Sequence, residues 1–445
     1  MFELPHRDTT LRGHTRAAGI ENNKVFDNVT KRRRPFEDAG LTKWELRHAY
    51  TNLCIGIGPG CHVWYKRAQL RKHAVTISLN HVAEDDTYCI RKTVNRILVL
   101  SLSGIGDTLM ATPLFHELQT QYPKSRVEAL VLWKGARQVL VGNPHLNEVF
   151  QHDFLKSFPL SSLLCCWKLR RRKYDLSINT HTQGRRGYRM IARLIGAKVR
   201  LSHEYENQSW IDRLLVTHSL PQDYGVHVME NNARLLQLIR REQRMPYHTY
   251  EVFLSNDEID WATDWVARQR LTERKILGIH VGSGGTKNLA LRRWPVSRYA
   301  ELLKQLALKR PDLQPVLFGG PEEREPHARL RAAGAQFIEA ETPGLREAIA
   351  LARECHAFLS VDTVFMHIAA AMEVPHQFVI ETPTLNPPVY PRRKDWTLIP
   401  NPSIGGRHLD FYRYDGRDIA GTSDQLLKMM ESVTVEAVLE RLQVV

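Results

Sequence analysis

Arg96-Ile97-Leu98-Val99-Leu100-Ser101-Leu102-Ser103-Gly104-Ile105-Gly106-Asp107-Thr108 decides the fold of this 445-residue chain. Ile97 to Leu100 is a short, unbroken apolar run, as expected of a strand buried on both faces of a parallel sheet. Ser101 to Asp107 then reads as a glycine-bearing turn, and Thr108 to Tyr122 as an amphipathic helix. A strand that feeds a helix through such a turn is half of a βαβ unit, and Val127 to Leu132 supplies the next strand.

Toward the C-terminus the alternation continues. Tyr174 to Asn179 predicts a strand, Tyr188 to Ile195 a helix, and Val228 to Arg241 a long polar helix. These place a first domain over residues 93–252. A helix over Glu258 to Arg270 precedes a strand over Ile276 to Val281. Then come helices at Val296 to Lys309, Leu345 to Cys355 and Met366 to Met372, interleaved with strands at Pro315 to Phe318 and Ala357 to Val361. A second domain is expected over 253–422. Residues 423–445 are left for a C-terminal helix expected to cross back to the first domain. The fold class is α/β, with two doubly wound parallel-sheet domains. Open sheets of this kind bind ligands at the carboxyl ends of their strands, so the chemistry is expected in a cleft between the halves.

Toward the N-terminus, residues 1–92 differ in composition: polar, His-rich and broken by Gly and Pro, with a basic cluster at Lys31-Arg32-Arg33-Arg34 and one strand-like run at His73 to Leu79. They form an N-terminal extension without an assigned role, and the basic cluster reads as a solvated charge run. Cys54, Cys61, His62 and Cys89 lack the short spacing of a zinc knuckle, so no metal is assigned. The six cysteines form no framework, which predicts reduced thiols. Met1 to His6 carries no basic-then-apolar leader, and no run of 18 apolar residues spans a bilayer, so the expected location is cytoplasmic. The 62 Lys and Arg against 48 Asp and Glu, a net charge of +14, favour an anionic partner: nucleic acid, an anionic membrane face or a phosphorylated substrate. The chain shows no zinc finger, helix-turn-helix or base-stacking signature, which ranks nucleic acid last.

Gly104 and Gly106 allow close backbone approach to a ligand, and the amides opening the following helix favour an anion. Asp107 at that helix start is either a cap or a reactive carboxylate, and composition alone favours the cap. No Lys follows the glycines, so the loop is not a P-loop, nor is it a full dinucleotide fingerprint.

The same stretch, with Ala111-Thr112-Pro113-Leu114, resembles the opening signature of glycosyltransferase family 9, the ADP-heptose heptosyltransferases. The resemblance continues in family order through Gly142-Asn143-Pro144-His145-Leu146-Asn147-Glu148-Val149, Tyr174-Asp175-Leu176, Arg292-Arg293-Trp294-Pro295, Phe318-Gly319-Gly320-Pro321 and Asp362-Thr363-Val364-Phe365-Met366-His367. It implies the two-domain GT-B architecture, with an acceptor-side first domain and a donor-nucleotide-binding second domain. It also implies Asp107 as the general base of an inverting transfer. On the donor side it implies Ser283, Thr286, Lys287, Arg292 in the place of a phosphate-binding Lys, and Glu323 on the nucleotide ribose. Asp362, Thr363, Val364 and His367 fall on the diphosphate, with Val364 standing where the family carries Gly. Thr382 and Thr384 occupy a shifted version of a further family loop. Gly104 and Gly106, together with His181, Thr182, Gln183, Arg185 and Arg186 after the Tyr174 to Asn179 strand, form the phosphate and acceptor side.

The function implied is transfer of a heptose or related sugar from an ADP-linked donor to an anionic saccharide or glycolipid acceptor of the lipopolysaccharide type. It would take place at the inner membrane face, without a tightly bound cofactor or a metal. Two alternatives stand beside it: transfer to a protein hydroxyl, and a catalytically silent sugar-nucleotide or glycan-binding protein.

Overall fold

The computed structural model describes residues 94–205, 208–223, 225–239, 249–283, 289–383, 389–404 and 422–445. The N-terminal extension with its strand-like run at His73 to Leu79 lies outside these residues, as do Thr286, Lys287 and Thr384.

The first half comprises, in chain order, β1 (Arg96–Ser101), α1 (Ile105–Leu109), α2 (Thr112–Gln121), β2 (Arg126–Val131), α3 (Lys134–Val139), β3 (Glu148–Gln151), α4 (Pro159–Arg170), β4 (Leu176–Asn179), α5 (Arg186–Ile195), β5 (Val199–Glu204), α6 (Trp210–Leu215), β6 (His218–Pro221) and α7 (Val228–Arg234). The second comprises α8 (Asn256–Arg268), β7 (Lys275–His280), α9 (Val296–Lys309), β8 (Leu313–Phe318), α10 (Arg324–Ala332), β9 (Ile338–Glu339), α11 (Leu345–Arg353), β10 (Ala357–Ser360), α12 (Val364–Ala371), β11 (His376–Ile380), β12 (Trp396–Ile399), α13 (Ser423–Glu431) and α14 (Val435–Arg441).

All strands pair in parallel, in two six-stranded sheets ordered β3-β2-β1-β4-β5-β6 and β12-β11-β10-β7-β8-β9. The two orders are the same doubly wound topology used twice, the α/β architecture expected from the sequence. Parallel strands need both faces covered, and β1 shows how the sequence meets that need. Ile97 and Val99 enter one apolar cluster, Leu98 and Leu100 another on the opposite face, and all four are fully buried.

Three helices differ markedly from their predicted extent. The one read over Val228 to Arg241 is α-helical only as α7, Val228–Arg234, and continues as a 3-10 turn over Leu235–Leu238. The helix read over Thr108 to Tyr122 is broken into α1 and α2 at Met110-Ala111. Pro113 has no amide hydrogen to donate and is tolerated only in a first helical turn, so it starts a new helix. Thr112 Oγ1 donates to Leu109 O at 2.7 Å across the break. The C-terminal helix is likewise split, because Thr434 caps α14 by accepting from the Ala437 amide. Nor does this helix pair cross back to the first domain. Met430, Val433, Val435, Val438 and Leu442 are buried with Leu277, Trp294 and Leu303 of the second domain, and Trp294 Nε1 donates to Val433 O at 2.9 Å. The apolar stripe of α14 matches the surface of α9 beside it, which decides its location.

The halves are tied near the linker. Arg346 on α11 forms an ion pair with Glu258 of α8 at 2.6 Å and donates to Gln138 O of α3, so one buried guanidinium spans three elements.

Candidate active site

In a doubly wound sheet the strand order reverses at one point, and the loops leaving the two strands on either side part to open a crevice. In the first sheet these strands are β1 and β4, whose loops begin at Leu102 and Thr180. In the second they are β7 and β10, whose loops begin at Val281 and Val361. Most of the residues singled out in the sequence leave from these four strand ends; Glu323, after β8, is the main exception.

On the first-domain side, Asp107 is the third residue of α1 and half-buried. Its Oδ2 accepts the Gly104 amide at 2.8 Å, so it does cap the helix. One carboxylate oxygen is thereby fixed at the lip of the crevice, so the capping and catalytic readings are compatible. Ser101 and Thr108 hydroxyls lie 3.1 Å apart beneath it, and Thr108 Oγ1 donates to Gly104 O, which ties the loop to the strand end.

The loop after β4 divides into two kinds of residue. His181 and Gln183 are buried and held: the Tyr205 hydroxyl lies 3.1 Å from His181 Nδ1 and accepts the Gln183 amide at 2.9 Å, and Gln183 Nε2 donates to Thr180 Oγ1 and to Leu100 O. Thr182 is also buried. Burial beside His203 holds His181 well below the usual imidazole range, so it is neutral. These side chains brace the strand end, whereas Arg185 and Arg186 at the start of α5 are exposed.

On the second-domain side, Arg292 and Asp362, from loops after different strands, meet as an ion pair with both side chains largely buried. Arg293 Nη2 donates to Ser283 O at 2.7 Å and holds the start of the loop after β7. Glu323, after β8, is buried; its Oε2 accepts the Gly320 amide at 2.7 Å and its Oε1 lies 3.8 Å from His280 Nε2 at the end of β7. Burial pushes the Glu323 carboxyl above its ordinary value and lowers His280 to about 3. Thr363 caps α12 by accepting from the Phe365 amide at 3.2 Å. Val364 is the first residue of that helix and is absent from the positive-φ residues. The backbone here therefore does not require the Gly that the family carries.

The two sides meet at His367. A Cβ built on Gly106 would stand 2.5 Å from His367 Cδ2 and 3.0 Å from its Nε2, so only glycine lets α1 approach this ring. His367 is buried, with the Tyr250 ring edge-on at 5.6 Å, and burial lowers it to about 4, with Asp362 opposing. It is thus neutral at pH 7. Tyr250, His227 and the Tyr390 carbonyl continue the polar wall.

Buried polar groups ordinarily have hydrogen-bond partners, because leaving one unpaired costs about 1–3 kcal/mol. Ser103 Oγ, His280 Nδ1, Ser360 Oγ, His367 Nδ1 and Thr382 Oγ1 have none. Four of them lie at or just beyond the carboxyl ends of β1, β7, β10 and β11, and His367 lies in the first turn of α12. Thirteen further unpaired buried side-chain atoms are spread over the described residues, and those at the strand ends are placed where a polar ligand could reach them. Reading the sequence for motifs passed over Ser103, Ser360 and His280, although each ends or follows an apolar strand run, the one signal that marks them.

The acidic groups of the crevice, Asp107, Glu323 and Asp362, each meet a different donor: the Gly104 amide, the Gly320 amide and Arg292. Among the described residues the His/Glu cluster with metal-ligand spacing is His116, His145 and Glu251, where His116 Nδ1 and Glu251 Oε1 are 2.6 Å apart. It joins α2 to the linker before α8.

Comparison with known proteins follows the same lines. Residues 165–378 match the family model described as glycosyltransferase family 9 (heptosyltransferase). Lipopolysaccharide heptosyltransferase 3 of Escherichia coli is 24% identical over 284 residues, covering 61% of this chain and 78% of its own length. Among solved structures, a family 9 glycosyl transferase from Veillonella parvula superposes with a TM-score of 0.63 at 18% identity, over 79% of this chain and 98% of that one. The E. coli ADP-heptose lipopolysaccharide heptosyltransferase II superposes with a TM-score of 0.59 at 22% identity, over 78% and 98%. At these identities the superpositions speak for the fold.

Proposed function

Since the chain belongs to glycosyltransferase family 9 and is a glycosyltransferase, we propose that it transfers a heptose, or a closely related sugar, from an ADP-linked donor to an anionic saccharide of the lipopolysaccharide type. The observation that carries this reading is the largely buried Arg292–Asp362 ion pair, formed from the loops after β7 and β10 where the strand order of the second sheet reverses. In this reading the second domain holds the donor. Glu323 accepts hydrogen bonds from the ribose hydroxyls, which favour its carboxylate form against the burial that opposes ionisation. Arg292, positioned by Asp362, the amides opening α12 and the His367 ring face the diphosphate, on which negative charge grows as it leaves.

Asp107 is the base. The acceptor hydroxyl gives its proton to the carboxylate as its oxygen bonds to the anomeric carbon; the bond from that carbon to the phosphate oxygen breaks, and ADP departs from the opposite face. One carboxylate suffices for this single inverting displacement. Its bond to the Gly104 amide fixes the direction of the carboxylate.

A role in the cytoplasm at the inner membrane face follows from such an acceptor. The deciding experiment incubates purified protein with ADP-heptose and separately with UDP- and GDP-sugars, measuring thermal stabilisation and then transfer to a truncated core saccharide. Selective stabilisation by the ADP-sugar, with transfer lost in Asp107→Asn while stabilisation persists, is the expected result. Indifference to every nucleotide sugar would favour the silent glycan-binding alternative.

A further inference from the structure

Fifteen large apolar side chains are conspicuously exposed among the described residues, and ten of them lie on α4, α5 and α6 or at the cap of α4. Phe158 is 84% exposed and Leu160 68%, and with Leu163, Leu164 and Trp167 they line the outer side of α4. Met190 and Leu194 continue the surface on α5, and Trp210, Ile211 and Leu214 on α6. The three helices are neighbours. Cys166 and Leu169 of α4 enter the same buried cluster as Ile191, Ala192 and Ile195 of α5, so the opposite sides of both helices face outward together. Arg170 of α4 donates to Leu194 O of α5 at 3.1 Å, and Asp212 of α6 is buried against Arg189 of α5 at 2.9 Å.

Charge decides what covers this surface. Residues 158–215, which span the three helices, contain twelve Lys and Arg against four acids, of which Asp175 is paired with Lys198 and Asp212 is buried against Arg186 and Arg189. Lys168, Arg171, Lys173, Arg193 and Arg213 are exposed among the apolar side chains. A second copy of this face would bring like charges together. Residues 1–92, with sixteen Lys and Arg against ten Asp and Glu, carry the same sign. An apolar patch this large marks an interaction site. Aromatic and aliphatic side chains ringed by cations are the pattern of a helix face that lies in the interface of an anionic bilayer.

We propose that the outer face of α4, α5 and α6 docks the first domain on an anionic lipid membrane. α5 begins directly after the Thr180 to Gly184 loop at the crevice, so docking presents that loop to a saccharide carried on lipid. The lipid-borne acceptor rests on the function proposed above; the docking itself does not.

The test is co-sedimentation of the full-length protein with vesicles of phosphatidylglycerol and phosphatidylcholine against phosphatidylcholine alone, at low and high salt. Wild type is expected to bind the anionic vesicles at least tenfold better, with the advantage reduced by salt. Phe158→Ser/Leu160→Ser/Leu164→Ser and, separately, Lys168→Glu/Arg171→Glu/Arg193→Glu are each expected to lose tenfold or more. Because all six side chains are exposed, thermal stability and stabilisation by ADP-sugar should be unchanged; this separates docking from the transferase reading, which fails if no nucleotide sugar binds. Equal binding to neutral vesicles, no binding, or binding that survives both triple variants would overturn the proposal. So would wild-type self-association abolished by the apolar triple, which would make the face a contact between copies.

Discussion

Gly106→Ala tests whether α1 and α12 meet at His367 in the working enzyme. The added methyl would stand 2.5 Å from His367 Cδ2 and 3.0 Å from Nε2, where non-bonded heavy atoms rest at about 3.5–4.0 Å. About 1 Å of relief is needed. The ring cannot readily step back, because Phe365, Met366 and Ile368 on either side are buried in the core. Either the ring rotates or the two helices part. Overpacking of this kind costs about 1–3 kcal/mol, and alanine recovers about 1 kcal/mol over glycine within a helix, leaving a net loss of about 0–2 kcal/mol. Stability should therefore fall only modestly. Activity should fall further, because misplacing a reacting group by about 1 Å costs on the order of 100-fold, or about 2.7 kcal/mol at the transition state. ADP release in the presence of acceptor gives kcat/KM, and thermal unfolding gives the stability. The double variant with His367→Ala removes the obstacle, so it should be no worse than His367→Ala alone. Wild-type kcat/KM in Gly106→Ala, or losses that simply add in the double variant, would refute the contact.

Asp107→Asn keeps an oxygen for the Gly104 amide but cannot take a proton, so kcat should fall by about 10²–10⁴ with donor stabilisation retained. Glu323→Gln removes a buried carboxyl whose ionisation burial opposes. At pH 7 it should raise the melting temperature of the ligand-free protein while weakening donor binding, the usual conflict between stability and function; loss of both would contradict the assignment. Removing Asp212 leaves Arg189 buried without its ion-pair partner, so Asp212→Ala should destabilise by about 3–5 kcal/mol in denaturant unfolding. Burial lowers His203, His227 and His280 to about 3 and His367 to about 4, from 6.5. Folded-state values below the unfolded one mean that the unfolded chain takes up protons first. The stability these neutral rings contribute is complete above pH 6.5 and is lost as pH falls toward 4 and below. His367→Gln should flatten that acid limb, and a melting temperature indifferent to pH between 6.5 and 4 would count against it.

The sequence by itself determined the strand-turn-helix alternation, because burial on both faces of a parallel strand leaves an unbroken apolar run such as Ile97 to Leu100. It also determined the place of Asp107, Asp362 and His367 at strand ends, because turns and helix starts are local in chain and need particular residues there. The short outer strands β3, β6 and β9 left no such mark. Nor did α4, whose apolar residues occupy both its buried side, at Cys166 and Leu169, and its exposed side, at Leu160 and Trp167; without a polar face the helical period disappears. What only the tertiary structure decided was which of these residues meet. Arg292 finds Asp362 because β7 and β10 are adjacent in the sheet although far apart in the chain, and His367 rests on Gly106 because two domains pack together. Periodicity records how a residue faces its own core, whereas a contact across a crevice depends on how two cores are set against each other.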